Sequence, residues 1–263
     1  MREIPLYVFD SFTDRVFAGN PAAVCPLDSW LDDQTMRSIA AENNLSETAF
    51  FVAENGGYRL RWFTPAIEID LCGHATLATA HYLFSEAGYD GDNVAFETRS
   101  GTLTVTRKGK FLRMDFPVRP LDPIPRETEF DGVFGALPEA VFESAGNYLA
   151  VFDSEKTVRG MAPNMGDVEA LGLHGVIVTA KGDKVDFVSR FFHPAAGIPE
   201  DPVTGSAHCT LTPYWVARLG KNPLSARQVS KRGGRLTCEL AGDRVLISGQ
   251  AVLYARGMIQ LAD

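Results

Sequence analysis

The stretch RWFTPAIEIDLCGHATLATAHYLF, residues 61–84, decides the architecture, because a degenerate copy returns as RFFHPAAGIPEDPVTGSAHCTLTPYWV at 190–216. Arg61 and Pro65 align with Arg190 and Pro194. Gly73, Ala75 and Tyr82 align with Gly205, Ala207 and Tyr214 once the second copy is allowed three extra residues. Those residues fall within GIPED, where an additional carboxylate enters. Three further matches keep the same order: GNPAAV from Gly19 with GNYLAV from Gly146, TAFFVA from Thr48 with GVIVTA from Gly175, and SGTLTV around Gly101 with GGRLTC around Gly234. One short match arises by chance, but an ordered series implies an internal duplication and two similarly folded halves.

Working outward, LYVFDSF reads as a strand before a Gly19-Asn20-Pro21 turn, and Asp32-Asp33 opens a short helix ended by Asn43 and Asn44. LSETAFFV and YRLRWF read as strands across the ENGG turn, and ATLATAHYLFSEAG as a helix closed by Gly88, apolar on nearly every side and therefore buried all round. Strands AFET, TLTVT and FLRMDF complete a first α+β half, residues 1–117. The proline-rich run that follows marks a linker at 118–127. The second half, 128–250, is expected to run helix LPEAVFESAG, strand NYLAVF, helix GDVEAL, strands GVIVTA and KVDFVSRFF, then a helix that Pro213 should kink or delay. AVLYARGMI is a further strand without a counterpart, so 251–263 is expected to join the first half.

A chain of 263 residues, 45% apolar and 22% charged, buries a core without staples. A net charge of -8 with no basic run speaks against a nucleic-acid partner. No apolar run approaches the roughly 20 residues of a membrane helix, and MREIPLYVFD reads as a strand and not as a signal peptide, so a cytoplasmic protein without a membrane partner is expected. Cys25, Cys72, Cys209 and Cys238 form no CxxC pair and read as reduced thiols.

Both copies place a glycine immediately before a helix, at Gly73-His74-Ala75 and Gly205-Ser206-Ala207. First-turn N–H groups lack intrahelical partners and carry the positive end of the dipole, so each start is a candidate anion site. Asp201 lies in a loop stiffened by Pro199 and Pro202, His74 in the first helical turn, where the dipole favours a neutral ring, and Glu47 just before an apolar strand. Each also has a plain structural reading: an Asx turn, a satisfied core histidine, a solvated loop glutamate.

Taken together, NNLSETAFF, DLCGHATLA and PEDPVTGSAHC resemble the signatures of the phenazine-biosynthesis PhzF-like isomerases, whose fold is shared with diaminopimelate epimerase and proline racemase. The resemblance runs from VFDSFTDRVFAGNPAAV to the final strand. It implies two α+β halves, each a barrel-like, mostly antiparallel sheet around a central helix, with the active site in the cleft between them, no cofactor, no metal and a homodimer. Residue by residue, it implies that Glu47 is the general acid/base, that His74 and Asp201 are its partners, and that Gly73, Gly205 and Ser206 contact an anionic substrate.

The expected function is a cofactor-independent isomerase that moves a proton between carbons of a small carboxylate-bearing metabolite. Two alternatives stand beside it. One is a racemase or epimerase using Glu47, Cys72 or Asp201 as unlike bases; thiol-dependent relatives carry a cysteine before the glycine of each half, whereas here Cys72 is matched by Thr204. The other is a non-catalytic small-anion binding protein, or a metal protein using Cys72, His74, His208 and Cys209, whose spacing matches no standard zinc pattern.

Overall fold

The structure, a computed structural model, describes residues 2–54 and 56–261. The fold is α+β and divides into two compact units, Met1–Asp115 with Ser248–Asp263, and Phe116–Ile247.

In the first unit, β1 (Arg2–Ser11) pairs antiparallel with β2 (Asn20–Leu27). Helix α1 (Asp33–Asn43) then carries the chain to β3 (Glu47–Glu54), parallel to β2. Strand β4 (Gly57–Phe63) returns antiparallel to β3, and the short β5 (Glu68–Ile69) pairs with β4. Helix α2 (Gly73–Ser85) leads to β6 (Asn93–Thr98), parallel to β4, followed by β7 (Gly101–Lys108) and β8 (Phe111–Pro117).

The second unit contains β9 (Asp122–Pro123), α3 (Glu127–Phe134), β10 (Ala140–Ser144), β11 (Asn147–Val151), α4 (Glu155–Gly160) and α5 (Met165–Ala170). It continues with β12 (Gly175–Lys181), β13 (Phe187–His193), β14 (Ile198–Asp201), α6 (Gly205–Leu219), β15 (Leu224–Gln228), β16 (Gly234–Ala241) and β17 (Arg244–Gly249). Its ladders recur in the order of the first unit: β10 antiparallel to β11, β11 parallel to β12, β12 antiparallel to β13, β13 antiparallel to β14, and β13 parallel to β15 across α6. The last strand, β18 (Ala251–Leu261), pairs antiparallel with β1 along the length of both.

Alternation along β3 explains how a strand apolar on both faces from Ala49 to Ala53 is used. Successive side chains of a strand point to opposite faces. Phe50 and Val52 enter the core under α1 with Met36, Ile39 and Phe63. Phe51 points the other way, its ring 5.7 Å from Tyr82 of α2. Glu47 shares the parity of Phe51, so the strand delivers its carboxylate to the α2 side. Strand β12 repeats this, with Val176, Val178 and Ala180 in the core of α3 to α5, and Thr179 accepting from Trp215 Nε1 of α6 at 3.0 Å.

Three expectations are corrected. LPEAVFESAG is not a helix: Ala140–Ser144 is a strand, and Ala145 and Gly146 (φ 48° and 78°) form a two-residue hairpin into β11, the left-handed pair that matches strand twist. The helix lies earlier, at Glu127–Phe134, buried through Phe130 and Phe134, so the proline-rich run is not a bare linker; its Asp122–Pro123 pairs with β10. Pro213 neither ends nor delays α6, which runs from Gly205 to Leu219. A proline leaves the carbonyl four residues earlier without its helical donor. That carbonyl, of Cys209, accepts instead from the Arg119 N–H at 3.2 Å.

Candidate functional site

Two elements of the first unit bring Glu47 and His74 together. Glu47 is the first residue of β3 and His74 the second of α2; both are buried, at 8% and 4% exposure. Glu47 Oε2 and His74 Nε2 stand 2.9 Å apart, within ion-pair range, yet neither atom has a well-aligned hydrogen-bond partner. Buried polar atoms are ordinarily satisfied, and here the two face each other with no further partner. Helix α2 begins without a side-chain cap: its N-cap residue is Cys72, which makes no capping hydrogen bond. The N–H groups of its first turn therefore keep the anion-binding character expected of Gly73.

The His74 ring is oriented on its other side. Asn20 Nδ2 lies 3.1 Å from Nδ1 and Cys72 Sγ 3.5 Å from it, while Ser11 Oγ donates to the His74 carbonyl at 2.8 Å. Whenever the ring is neutral, an amide donor at Nδ1 places its one proton on Nε2, facing Glu47. Asn20 itself is positioned by Gly19, whose φ is +68° and whose added Cβ would stand 2.1 Å from the Ser11 carbonyl oxygen. Only glycine fits there.

Charge at the site is set by burial and proximity. Burial opposes protonation of His74, but the neighbouring Cys72 sulfur and Glu47 carboxylate favour it, and the net direction is well above the ordinary imidazole value. Burial, with Glu47 adding to it, pushes the Cys72 thiol up to about 11. At neutral pH the thiol is therefore protonated, and the counter-charge that sustains the imidazolium is Glu47. The dipole argument for a neutral His74 is outweighed by a carboxylate in direct contact. Cys25, Cys209 and Cys238 are buried thiols pushed up to about 12, and none of the four cysteines is in a disulfide.

In the second unit, Asp201 ends β14 and is 8% exposed. Its Oδ2 accepts from Thr204 Oγ1, and Gln228 fastens the turn, accepting from the Thr204 N–H at 2.8 Å and donating to the Asp201 carbonyl at 2.7 Å. Thr204 is the N-cap residue of α6 but spends its hydroxyl on Asp201, so this helix also starts without a side-chain cap, before Gly205 and the half-buried Ser206. His208 sits wholly buried one turn further on, its Nδ1 2.8 Å from the Thr204 carbonyl.

The ladders show which positions correspond. Phe50 pairs with Arg61 as Val178 pairs with Arg190, and counting back along β3 and β12 from those partners sets Glu47 against Gly175. Trp62 pairs with Ile69 as Phe191 pairs with Asp201, so the added carboxylate stands where the first unit has isoleucine. Bidentate Arg61–Glu68 and Arg190–Glu200 pairs flank both sites alike. The first unit thus carries Glu47, Cys72 and His74 where the second carries Gly175, Thr204 and Ser206. The same register shows that the GNPAAV and GNYLAV match does not mark equivalent residues: Ala22, not Asn20, takes the ladder position of Asn147. Asn20, Ser11 and Gln228 were not among the residues expected at the site; Gly19-Asn20-Pro21 carried only a turn signal, and nothing in the sequence near Gln228 distinguishes it.

The fold and the sequence place the chain in a known class. A hydroxyproline epimerase from Agrobacterium vitis superposes with a TM-score of 0.65, covering 100% of this chain and 94% of its own at 12% identity, a likeness of fold alone. A phenazine biosynthesis protein of the PhzF family from Enterococcus faecalis superposes with a TM-score of 0.96 at 48% identity, covering 99% of this chain and all of its own. An uncharacterized isomerase of Pseudomonas aeruginosa is 51% identical over 98% of this chain and 100% of its own length. Residues 9–257 match the PhzC-PhzF family, described as phenazine biosynthesis-like protein, and the chain belongs to it.

Proposed function

We propose that the protein is an isomerase that moves a proton between carbons of a small carboxylate-bearing metabolite, using its own side chains and no cofactor. The observation that carries this reading is the buried Glu47–His74 pair, 2.9 Å apart and without other well-formed partners, beside an uncapped helix start. Relatives named isomerase support the reaction class. Glu47 takes a proton from a carbon made acidic by conjugation with a carboxylate, and the charge left on the substrate is held by donors. Glu47 then returns a proton to a different carbon, its carboxyl proton having exchanged with solvent in the meantime, so one proton is removed and one is added and no external acid is consumed. His74, with a proton on Nε2, donates toward the Glu47 carboxylate and holds it in position for the transfer. The first-turn N–H groups at Gly73 suit the substrate carboxylate. Asp201, Gly205 and Ser206 keep, within the same proposal, the partner and substrate-contact roles that the family resemblance implies.

A racemase with two thiols is disfavoured because Thr204 stands where the second would be and its hydroxyl is committed to Asp201. We further propose a homodimer, which sedimentation equilibrium would read directly. The reaction class is tested by incubating the metal-stripped protein with small hydroxy, amino and unsaturated acids in D2O and following C–H signals by NMR. Catalysed exchange on at least one carboxylic acid is expected; none across a broad panel, with binding detected, would leave only a small-anion binding protein.

A further inference from the structure

Glu47, Cys72 and His74 do more than form an acid/base pair with a bystander thiol. Each offers one ligand atom, a carboxylate oxygen, a sulfur and a ring nitrogen, and these atoms all lie within 4.8 Å of one another at three buried residues; among the described residues this is the grouping of that kind. We propose that these three side chains form a site for Zn2+, and that its occupation blocks the proton transfer by taking the atoms that perform it. The four-residue tetrad of Cys72, His74, His208 and Cys209 is replaced by this mixed set, His208 being engaged at the Thr204 carbonyl.

The donor chemistry selects the ion. Sulfur, imidazole nitrogen and carboxylate oxygen are the ligand types of zinc sites, and three protein ligands leave the fourth position of the tetrahedron to water. Bond lengths of about 2.0–2.3 Å in a tetrahedron call for donors roughly 3.3–3.7 Å apart. Cys72 Sγ is 3.5 Å from His74 Nδ1 and Glu47 Oε2 is 2.9 Å from Nε2, on opposite edges of the ring, so occupation requires the imidazole or the carboxylate to turn until one ring nitrogen faces both other donors. A second observation points the same way: Glu47 Oε2 and His74 Nε2 are buried and, beyond their contact with each other, have no hydrogen-bond partner. Binding displaces the thiol proton to solvent, leaving carboxylate and thiolate to neutralise the ion. Mg2+ and Ca2+, which require oxygen donors, are excluded by the sulfur and nitrogen.

The test uses the full chain stripped of metal. Zn2+ is titrated in competition with a chromophoric chelator, Co2+ is substituted as a spectroscopic probe, and Mg2+ serves as control. Expected are one Zn2+ per chain, a thiolate-to-cobalt charge-transfer band, and affinity falling more than about tenfold in Cys72→Ser and in His74→Asn. No stoichiometric zinc, a cobalt spectrum without the thiolate band, or affinity unchanged in both variants would overturn the proposal. The wild-type cobalt spectrum decides the matter even if a variant fails to fold. Because the isomerase reading is measured on metal-free protein, either idea can fail without the other.

Discussion

His74 is held at three points, its carbonyl by Ser11 and its two ring nitrogens by Asn20 and Glu47. The tautomer is the consequence of most interest, since only a proton on Nε2 faces the carboxylate. Changing Asn20 to Asp puts an acceptor where a donor stood and draws the proton to Nδ1. Imidazole 15N–1H correlation spectra recorded at a pH high enough to neutralise the ring should show Nε2–H in the wild type and a shift toward Nδ1–H or retained imidazolium in Asn20→Asp. Exchange activity is expected to fall by about tenfold or more, the loss typical of misorienting a general acid/base. Identical spectra would deny Asn20 this role. At this scale the sequence was informative where a motif carried chemistry and silent where a residue acts through another. Glu47, His74 and Asp201 stand in short recognisable strings, whereas Gln228 is a strand residue whose partners, Asp201 and Thr204, are brought to it by folding.

Elements were legible where periodicity and turn chemistry agreed. The first helix starts at the Asp32 cap, whose Oδ1 accepts from the Thr35 N–H at 2.9 Å, and stops at a left-handed Asn44. They were misread where two signals competed: 137–146 has a helical composition, but a left-handed Ala145-Gly146 turn and a buried partner strand prevail. Pro213 was misread because the donor that replaces its missing contribution comes from Arg119, far away in sequence. Helix α6 also makes a pH prediction. Burial depresses the His208 imidazole from 6.5 to about 4. The unfolded chain therefore binds a proton that the folded chain refuses between those values, so stability falls as pH drops from about 6.5 toward 4, by roughly 3 kcal/mol for this one group. Urea midpoints measured across that range should decline for the wild type, with a shallower decline in His208→Leu. Parallel slopes would mean that His208 is not the group responsible.

At the scale of the whole chain, the polypeptide leaves its first unit at Asp115, builds the second, and returns at Ser248 to lay β18 beside β1 from Ser11↔Ala251 to Arg2↔Leu261. Among the described residues no helix is long and apolar enough to cross a membrane. Because β1 ends at Ser11, which anchors His74, the returning strand supports the site from a distance. A chain ending after Gln250 should lose amide-exchange protection in β1 and β2 while the second unit keeps its own; unchanged protection in β1 would show that β18 is dispensable. The recurrence of one ladder order in both units was signalled by the RWF and RFF and the Gly-x-Ala strings, yet the chemical asymmetry between the units was only half visible. Thr204 against Cys72 could be read directly, but Gly175 against Glu47 needs the ladder register.

The central claim is that Glu47 moves the proton and His74 assists it. It is tested most directly by solvent-deuterium incorporation into a turned-over carboxylic acid, with binding of that acid measured in parallel for wild type, Glu47→Gln and His74→Asn. Glu47→Gln keeps the shape of the side chain and removes its basicity, so binding should remain within a fewfold while exchange falls by at least about 10²-fold; His74→Asn should lower exchange less severely. Exchange persisting at the wild-type rate in Glu47→Gln would contradict the account.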